Sequence, residues 1–188
     1  MSFDLAAALR VLKPQKRRTP LKRRSRADLQ WVEGVPPVGE PILLDTTVYI
    51  DVLQGCSPTQ LDFLLGIRIC NHSAVCVAEL THLFGRLDPA NAGTRRALRE
   101  IEATIDDIPD HRLSAPDEEV WGVAGMLAGT LFRLGGYKAG QEKECLNDAL
   151  IYLHALKTGS SVVTRNVKDF DLLNQLVPLG KVIFYGRV

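Results

Sequence analysis

Ile42-Leu43-Leu44 is a run of aliphatic residues with no polar face, and it stops at Asp45. A strand of that kind is covered on both sides, as in a parallel sheet. Similar short runs recur along the chain. Ala74-Val75-Cys76-Val77 reads as a second buried strand, with a short one near His111–Ser114. Ser161-Val162-Val163-Thr164 and Val182-Ile183-Phe184-Tyr185 complete the set. Helical patterns fill the intervals, and strands that alternate with helices build an α/β domain with a mostly parallel sheet.

The helices carry their own punctuation. Thr46 and Thr47 are expected to cap a helix running to Gly55. Ser57-Pro58-Thr59-Gln60 opens another, with a Ser cap, Pro at the first position and Gly66 closing it. A third carries Glu79 and buries Leu80, Leu83 and Phe84. Asp88-Pro89 caps a fourth, which reaches about Ile105. Pro116, Asp117, Glu118 and Glu119 start a long helix ending at Gly135-Gly136, with acids placed to complement its dipole. Residues 142–157 hold Leu146, Ala149, Leu150, Leu153 and Leu156 on one stripe.

Charge divides the chain in two. Residues 1–39 carry nine Lys and Arg against three acids, about +6, which leaves about −5 for the remainder. Residues 2–12 have the spacing of a short helix. KPQKRRTPLKRRSR then breaks it with Pro14 and Pro20 and offers little to a core. The expectation is a basic, largely flexible extension over 1–39, a linker around 34–41, and a compact domain over 40–188. No apolar run is long enough to span a bilayer, and in the N-terminal stretch the positive charges follow the apolar segment, unlike a secretory signal. Cys56, Cys70, Cys76 and Cys145 lack any C-x-x-C spacing and read as reduced thiols, which suits a cytoplasmic protein.

Three acids stand where a ligand site belongs. Asp45 ends the first strand and Glu79 lies just past the second, at the carboxyl edge where open parallel sheets bind ligands. Asp148 sits inside a helix among Cys145, Leu146, Ala149, Leu150 and Ile151, so its charge needs a partner. Either Lys or Arg neutralises these acids, or a hard divalent cation with oxygen ligands does. Glu144 lies one turn before Asp148, on the same face. Thr164-Arg165-Asn166-Val167-Lys168-Asp169-Phe170 follows another strand end, with Asn166 or Asp169 as the cap of the next helix. Asp51 is read as solvated. His72, His82, His111 and His154 show no catalytic spacing.

Four segments together resemble the motifs of PIN-domain proteins. They are Ile42-Leu43-Leu44-Asp45-Thr46-Thr47-Val48-Tyr49-Ile50-Asp51, Val77-Ala78-Glu79-Leu80, Asn147-Asp148-Ala149-Leu150-Ile151 and Thr164–Phe170, and their order and separations also match. The resemblance spans roughly residues 41–185 and is closest to the VapC-like toxins of type II toxin–antitoxin pairs. It implies a PIN-like three-layer domain with a central, mostly parallel sheet of about four to five strands flanked by helices.

The resemblance also implies an endoribonuclease that hydrolyses RNA phosphodiester bonds by metal-activated water. Asp45, Glu79 and Asp148 would hold Mg²⁺ or Mn²⁺, and Thr46 and Thr164 would orient acids or waters. Many relatives carry a fourth Asp where this chain has Asn166, so either Asn166 serves there or Asp169 takes the acidic role. It implies further a basic antitoxin inserted into the acidic site, and a homodimer. The basic arm supports an alternative, a nucleic-acid-binding protein with a weakly active or inactive PIN-like fold. Arg17, Arg18, Arg23, Arg24 and Arg165 are the expected phosphate contacts.

Overall fold

Ile42–Leu44 forms β1, the middle strand of the sheet, and all three residues are buried. The structure is a computed structural model that describes residues 3–188. The other strands are β2 (Cys70–Ser73), β3 (Leu113–Ser114), β4 (Ser161–Thr164) and β5 (Lys181–Phe184). They lie in the order β3-β2-β1-β4-β5, and every neighbouring pair is parallel. Ile42 pairs with Cys70 on one side and Ser161 on the other. This is the α/β, PIN-like architecture expected, with five strands flanked by helices.

Among the described residues, eight α-helices surround the sheet: α1 (Leu5–Leu12), α2 (Thr46–Leu53), α3 (Thr59–Ile67), α4 (Ala74–Arg86), α5 (Thr94–Asp106), α6 (Glu118–Leu134), α7 (Glu142–Lys157) and α8 (Val167–Leu176). Residue 2, the expected start of the first helix, lies outside the described residues. Among those residues, no helix is long and apolar enough to cross a membrane. The four cysteines are free thiols.

The second strand differs from the expectation. Ala74-Val75-Cys76-Val77 is the first turn of α4, and the strand is the polar segment just before it. Apolar character alone does not separate a buried strand from a buried helix turn. The decisive residue is Ser73, whose Oγ accepts the Val75 N–H at 3.3 Å and so starts the helix. The polar residues of β2 are matched by partners distant in sequence. Asn71 donates to Ser160 Oγ at 3.0 Å, His72 Nδ1 meets the Tyr49 hydroxyl at 2.7 Å, and Ser73 Oγ meets His154 Nδ1 at 3.0 Å.

Smaller differences concern helix starts. Asp45, not Thr46 or Thr47, caps α2, and Pro58 is the capping residue of α3, which runs past Gly66. Asp88 accepts the Ala90 N–H in a turn, and α5 begins only at Thr94.

The basic extension, expected to be largely flexible, is laid along the domain. Leu12 and Val32 are buried in the common core, and Leu21, Leu29 and Trp31 pack against it. Leu21 N–H donates to Leu134 O at 2.8 Å, and Arg17 Nη2 donates to Leu176 O at 2.8 Å, satisfying a carbonyl at the end of α8. Arg24 binds the fully buried Asp171 through both its backbone N–H (2.7 Å) and its Nε (2.6 Å). Trp31 then makes a parallel bridge to Phe184, so the arm covers the outer edge of β5. Polarity along the run hid this packing, because the arm is held by guanidinium and backbone hydrogen bonds more than by apolar periodicity.

Candidate active site

Asp45 follows β1 directly. Its N–H still continues the ladder to Val163 O at 3.1 Å, while its side chain already caps α2. One carboxylate oxygen, Oδ2, accepts from Thr47 Oγ1 at 2.6 Å and from Thr164 Oγ1 at 2.7 Å. The group is only 3% exposed. Burial pushes its pKa up, against the two threonine hydroxyls, and the Glu79 charge pushes it further.

Glu79 lies in the second turn of α4 because the helix begins at Ala74. From there it reaches back across the strand ends. Its Oε2 accepts from Thr46 Oγ1, and its Oε1 accepts from Asn147 Nδ2 at 2.6 Å. Asp148, the next residue on α7, accepts from Asn166 Nδ2 at 3.0 Å, and the same amide donates to Asp169 Oδ2 at 2.8 Å. Asp169 also accepts from the Tyr137 hydroxyl. Asn166 Oδ1 meanwhile accepts the Asp169 N–H and caps α8.

The four acids feel one another. Burial raises the Asp148 pKa well above the ordinary carboxylate value of 3.8, with Asp45, Asp169 and Glu79 adding to the rise. Among the described residues, none of the four enters an ion pair with Lys or Arg. The purely structural alternative, neutralisation by a basic side chain, therefore has no counterpart here. Also among those residues, no three His, Cys, Asp or Glu side chains stand together as ready ligands. Hydroxyl and amide donors of Thr46, Thr47, Thr164, Asn147 and Asn166 instead hold each carboxylate in place. The donor chemistry, oxygen only and with an excess of negative charge, is of the kind that hard divalent cations take.

Other expected residues lie elsewhere. Arg165 is tied to Asp51, Nε to Oδ2, at 2.6 Å. Asp51, expected to be solvated, is fully buried, and it also binds the Tyr185 hydroxyl at 2.9 Å and pairs with Arg187 at 3.4 Å. Its position on α2 faces the C-terminal residues, which a local pattern cannot reveal. Arg17 and Arg24 are engaged as described above, whereas Arg18 and Arg23 are exposed. Glu144 is exposed and accepts from Gln141 Nε2 at 3.4 Å. His154 is buried between Ser73 and Ser114.

Asn147 and Tyr137 are the contacts that the sequence reading gave no role. Asn147 had a signal, since it precedes Asp148 and is the obvious amide of that motif. Tyr137 had none, because it follows the Gly135-Gly136 break and belongs to no periodic face.

The raised pKa of Asp148 makes its negative charge a cost to the folded state. The native state holds this proton more tightly than the unfolded chain, so the site's contribution to stability falls as pH rises from about 4 through the raised native pKa. Asp148→Asn is expected to melt higher than the metal-free parent at pH 7, by roughly 2–4 °C for a gain on the order of 1 kcal/mol. The gap should close towards pH 4. Thermal melts of both proteins across that range check it, and a variant that melts lower at pH 7 would refute the repulsion argument.

No protein-family model matches the sequence, and no curated protein matches it. Solved structures do match in fold. A chain in the crystal structure of VapBC2 from Rickettsia felis bound to a DNA fragment from their promoter is 16% identical with a TM-score of 0.53, over 77% of this chain and 98% of that one. A chain of DNA-bound VapBC from Salmonella typhimurium is 21% identical with a TM-score of 0.52, over 77% and 97%. A chain of FitAcB from Neisseria gonorrhoeae is 23% identical with a TM-score of 0.51, over 76% and 96%. At these identities the likeness is one of fold.

Proposed function

We propose that the chain is a metal-dependent endoribonuclease, the toxin component of a type II toxin–antitoxin pair acting in the cytoplasm. The observation that carries this reading is the convergence of Asp45, Glu79, Asp148 and Asp169 at the strand ends, with no ion pair to Lys or Arg among the described residues. The fold shared with chains of VapBC and FitAcB structures supports the same direction.

Asp45, Glu79 and Asp148 would hold one or two divalent cations, with Asp169 beside them. A bound Mg²⁺ or Mn²⁺ supplies an acidified water and offsets charge on the phosphate under attack. The protein's own contribution is orientation. Thr47 and Thr164 fix Asp45, Thr46 and Asn147 fix Glu79, and Asn166 spans Asp148 and Asp169. Outer partners of this kind typically matter by about 10–100-fold in metal affinity or activity. An acidic pocket also suits a basic inhibitor, because an antitoxin Arg would bind the same carboxylates by paired hydrogen bonds.

Two measurements test the reading. Purified protein should cut single-stranded RNA in Mg²⁺ or Mn²⁺, stop in EDTA, and leave products without 2′,3′-cyclic phosphates, as attack by water requires. Cyclic phosphates, or full activity in EDTA, would defeat it. Expression should slow growth of a bacterial host, and co-expression of a neighbouring antitoxin gene should restore it. A second reading, nucleic-acid binding through the arm, keeps support from its exposed cations Lys16, Arg18, Lys22 and Arg23. Under it, RNA affinity would survive Asp45→Asn and vanish on removal of residues 1–39.

A further inference from the structure

A cleft of about 530 Å³ opens beside the carboxylates, and Glu79 and Asn147 belong to both. Helix α4 lines it with His82 and Arg86, the first turn of α6 with Trp121, and the first turn of α7 with Lys143. Trp121 is 50% exposed, although Val120 and Ala124 of the same helix are buried in the core. A half-exposed indole in a concave wall keeps a face free for stacking on a ligand. Among the described residues, Arg86 and Lys143 enter no ion pair. Glu144, the other acid of the lining, is engaged by Gln141.

We propose that this cleft seats one unpaired nucleotide of the RNA next to the phosphate that is cut, with its base stacked on Trp121 and its flanking phosphates held by Arg86 and Lys143. The proposal rests on the ribonuclease reading and adds where the strand lies. A cluster of carboxylates repels the RNA backbone, so neighbouring phosphates need cations close at hand, and the cleft places two there. An exposed aromatic ring in a cleft that is also lined by cations is the usual platform for a single strand, since every base has a face to stack. The volume falls within the roughly 300–1,000 Å³ of small-ligand sites, which suits one nucleotide and not a duplex. Bases in a paired helix are not free to enter, so the subsite selects loops and single-stranded regions with little preference for sequence.

Fluorescence anisotropy with a labelled single-stranded oligouridylate tests this, using Asp45→Asn protein so that the probe stays intact. Adding Trp121→Ala should weaken binding by about 5- to 150-fold, as loss of one stacked base does. Trp121→Phe should retain most of the affinity. Arg86→Ala and Lys143→Ala should each lower the slope of log affinity against log salt by about 0.7. In the cleaving parent, Trp121→Ala should raise KM more than it lowers kcat.

Unchanged affinity in Trp121→Ala, with RNA still cleaved by the parent, overturns the subsite and leaves the ribonuclease reading standing. A parent that neither binds nor cleaves RNA overturns both. If Trp121→Ala or Arg86→Ala changes the sedimentation of the protein but not its RNA affinity, the cleft is a protein contact and the proposal fails.

Discussion

Asp45→Asn is expected to slow RNA cleavage by at least about 100-fold, since even residues one shell away from a metal cost 10–100-fold when changed. The substitution keeps the shape of the side chain. Asn can still accept the Thr47 and Thr164 hydroxyls that now meet Oδ2, so the start of α2 should stay formed. What it removes is one negative charge, at a position 3% exposed where the native carboxylate is already penalised by burial. The fold should therefore survive while the reaction fails. Circular dichroism and a melt of the variant, run beside a timed digest of the same RNA, separate the two. A folded variant that cleaves at the parent rate would remove Asp45 from the reaction.

Deleting residues 1–39 is expected to cost much of the stability of the domain. Leu12 and Val32 leave the core, at roughly 1.5–3 kcal/mol for each buried aliphatic side chain. Asp171, fully buried, loses both contacts from Arg24 and keeps only Gln175 Nε2 at 3.1 Å. The guanidinium side of this pair is 36% exposed, so its loss costs less than the roughly 3–5 kcal/mol of a fully buried pair. Together these are on the order of 6 kcal/mol against a usual total of 5–15. The melting temperature should fall by more than about 10 °C at roughly 2–4 °C per kcal/mol. Because α8 is capped by Asn166 and carries Asp171, the deletion should also reduce cleavage. A truncated chain that melts like the parent would show that the arm is an appendage after all.

Burial and pairing explain what was legible in the sequence. Ile42–Leu44 and Ser161–Thr164 are strands buried from end to end, and such runs announce themselves. Cys70–Ser73 is a strand made of polar residues, each matched by a side chain far away in sequence, such as Ser160, Tyr49 or His154. No local pattern holds those partners, so by apolar character alone the first turn of α4 looks like the strand. The earlier start of α4 puts Glu79 more than a turn further along its helix yet leaves it in the site, because the second turn of α4 points back at Thr46 and Asn147. The basic arm misled for a related reason. Its charges mark solvent in a local reading, but Arg17 and Arg24 are anchors for α8, and Arg165 is spent on Asp51 near the C-terminus. The roles of Tyr137 and Asn147 depend on where α6 ends and α7 begins, which only the packed structure fixes.

The most direct measurement is Mn²⁺ binding by isothermal titration to the parent and to Asp148→Asn, with RNA cleavage followed at each metal concentration. Saturable binding by the parent, cleavage that rises with occupancy, and loss of both in Asp148→Asn are the results predicted by a carboxylate metal centre. Equal Mn²⁺ binding by the two proteins, or parent cleavage that does not depend on Mn²⁺, would contradict it.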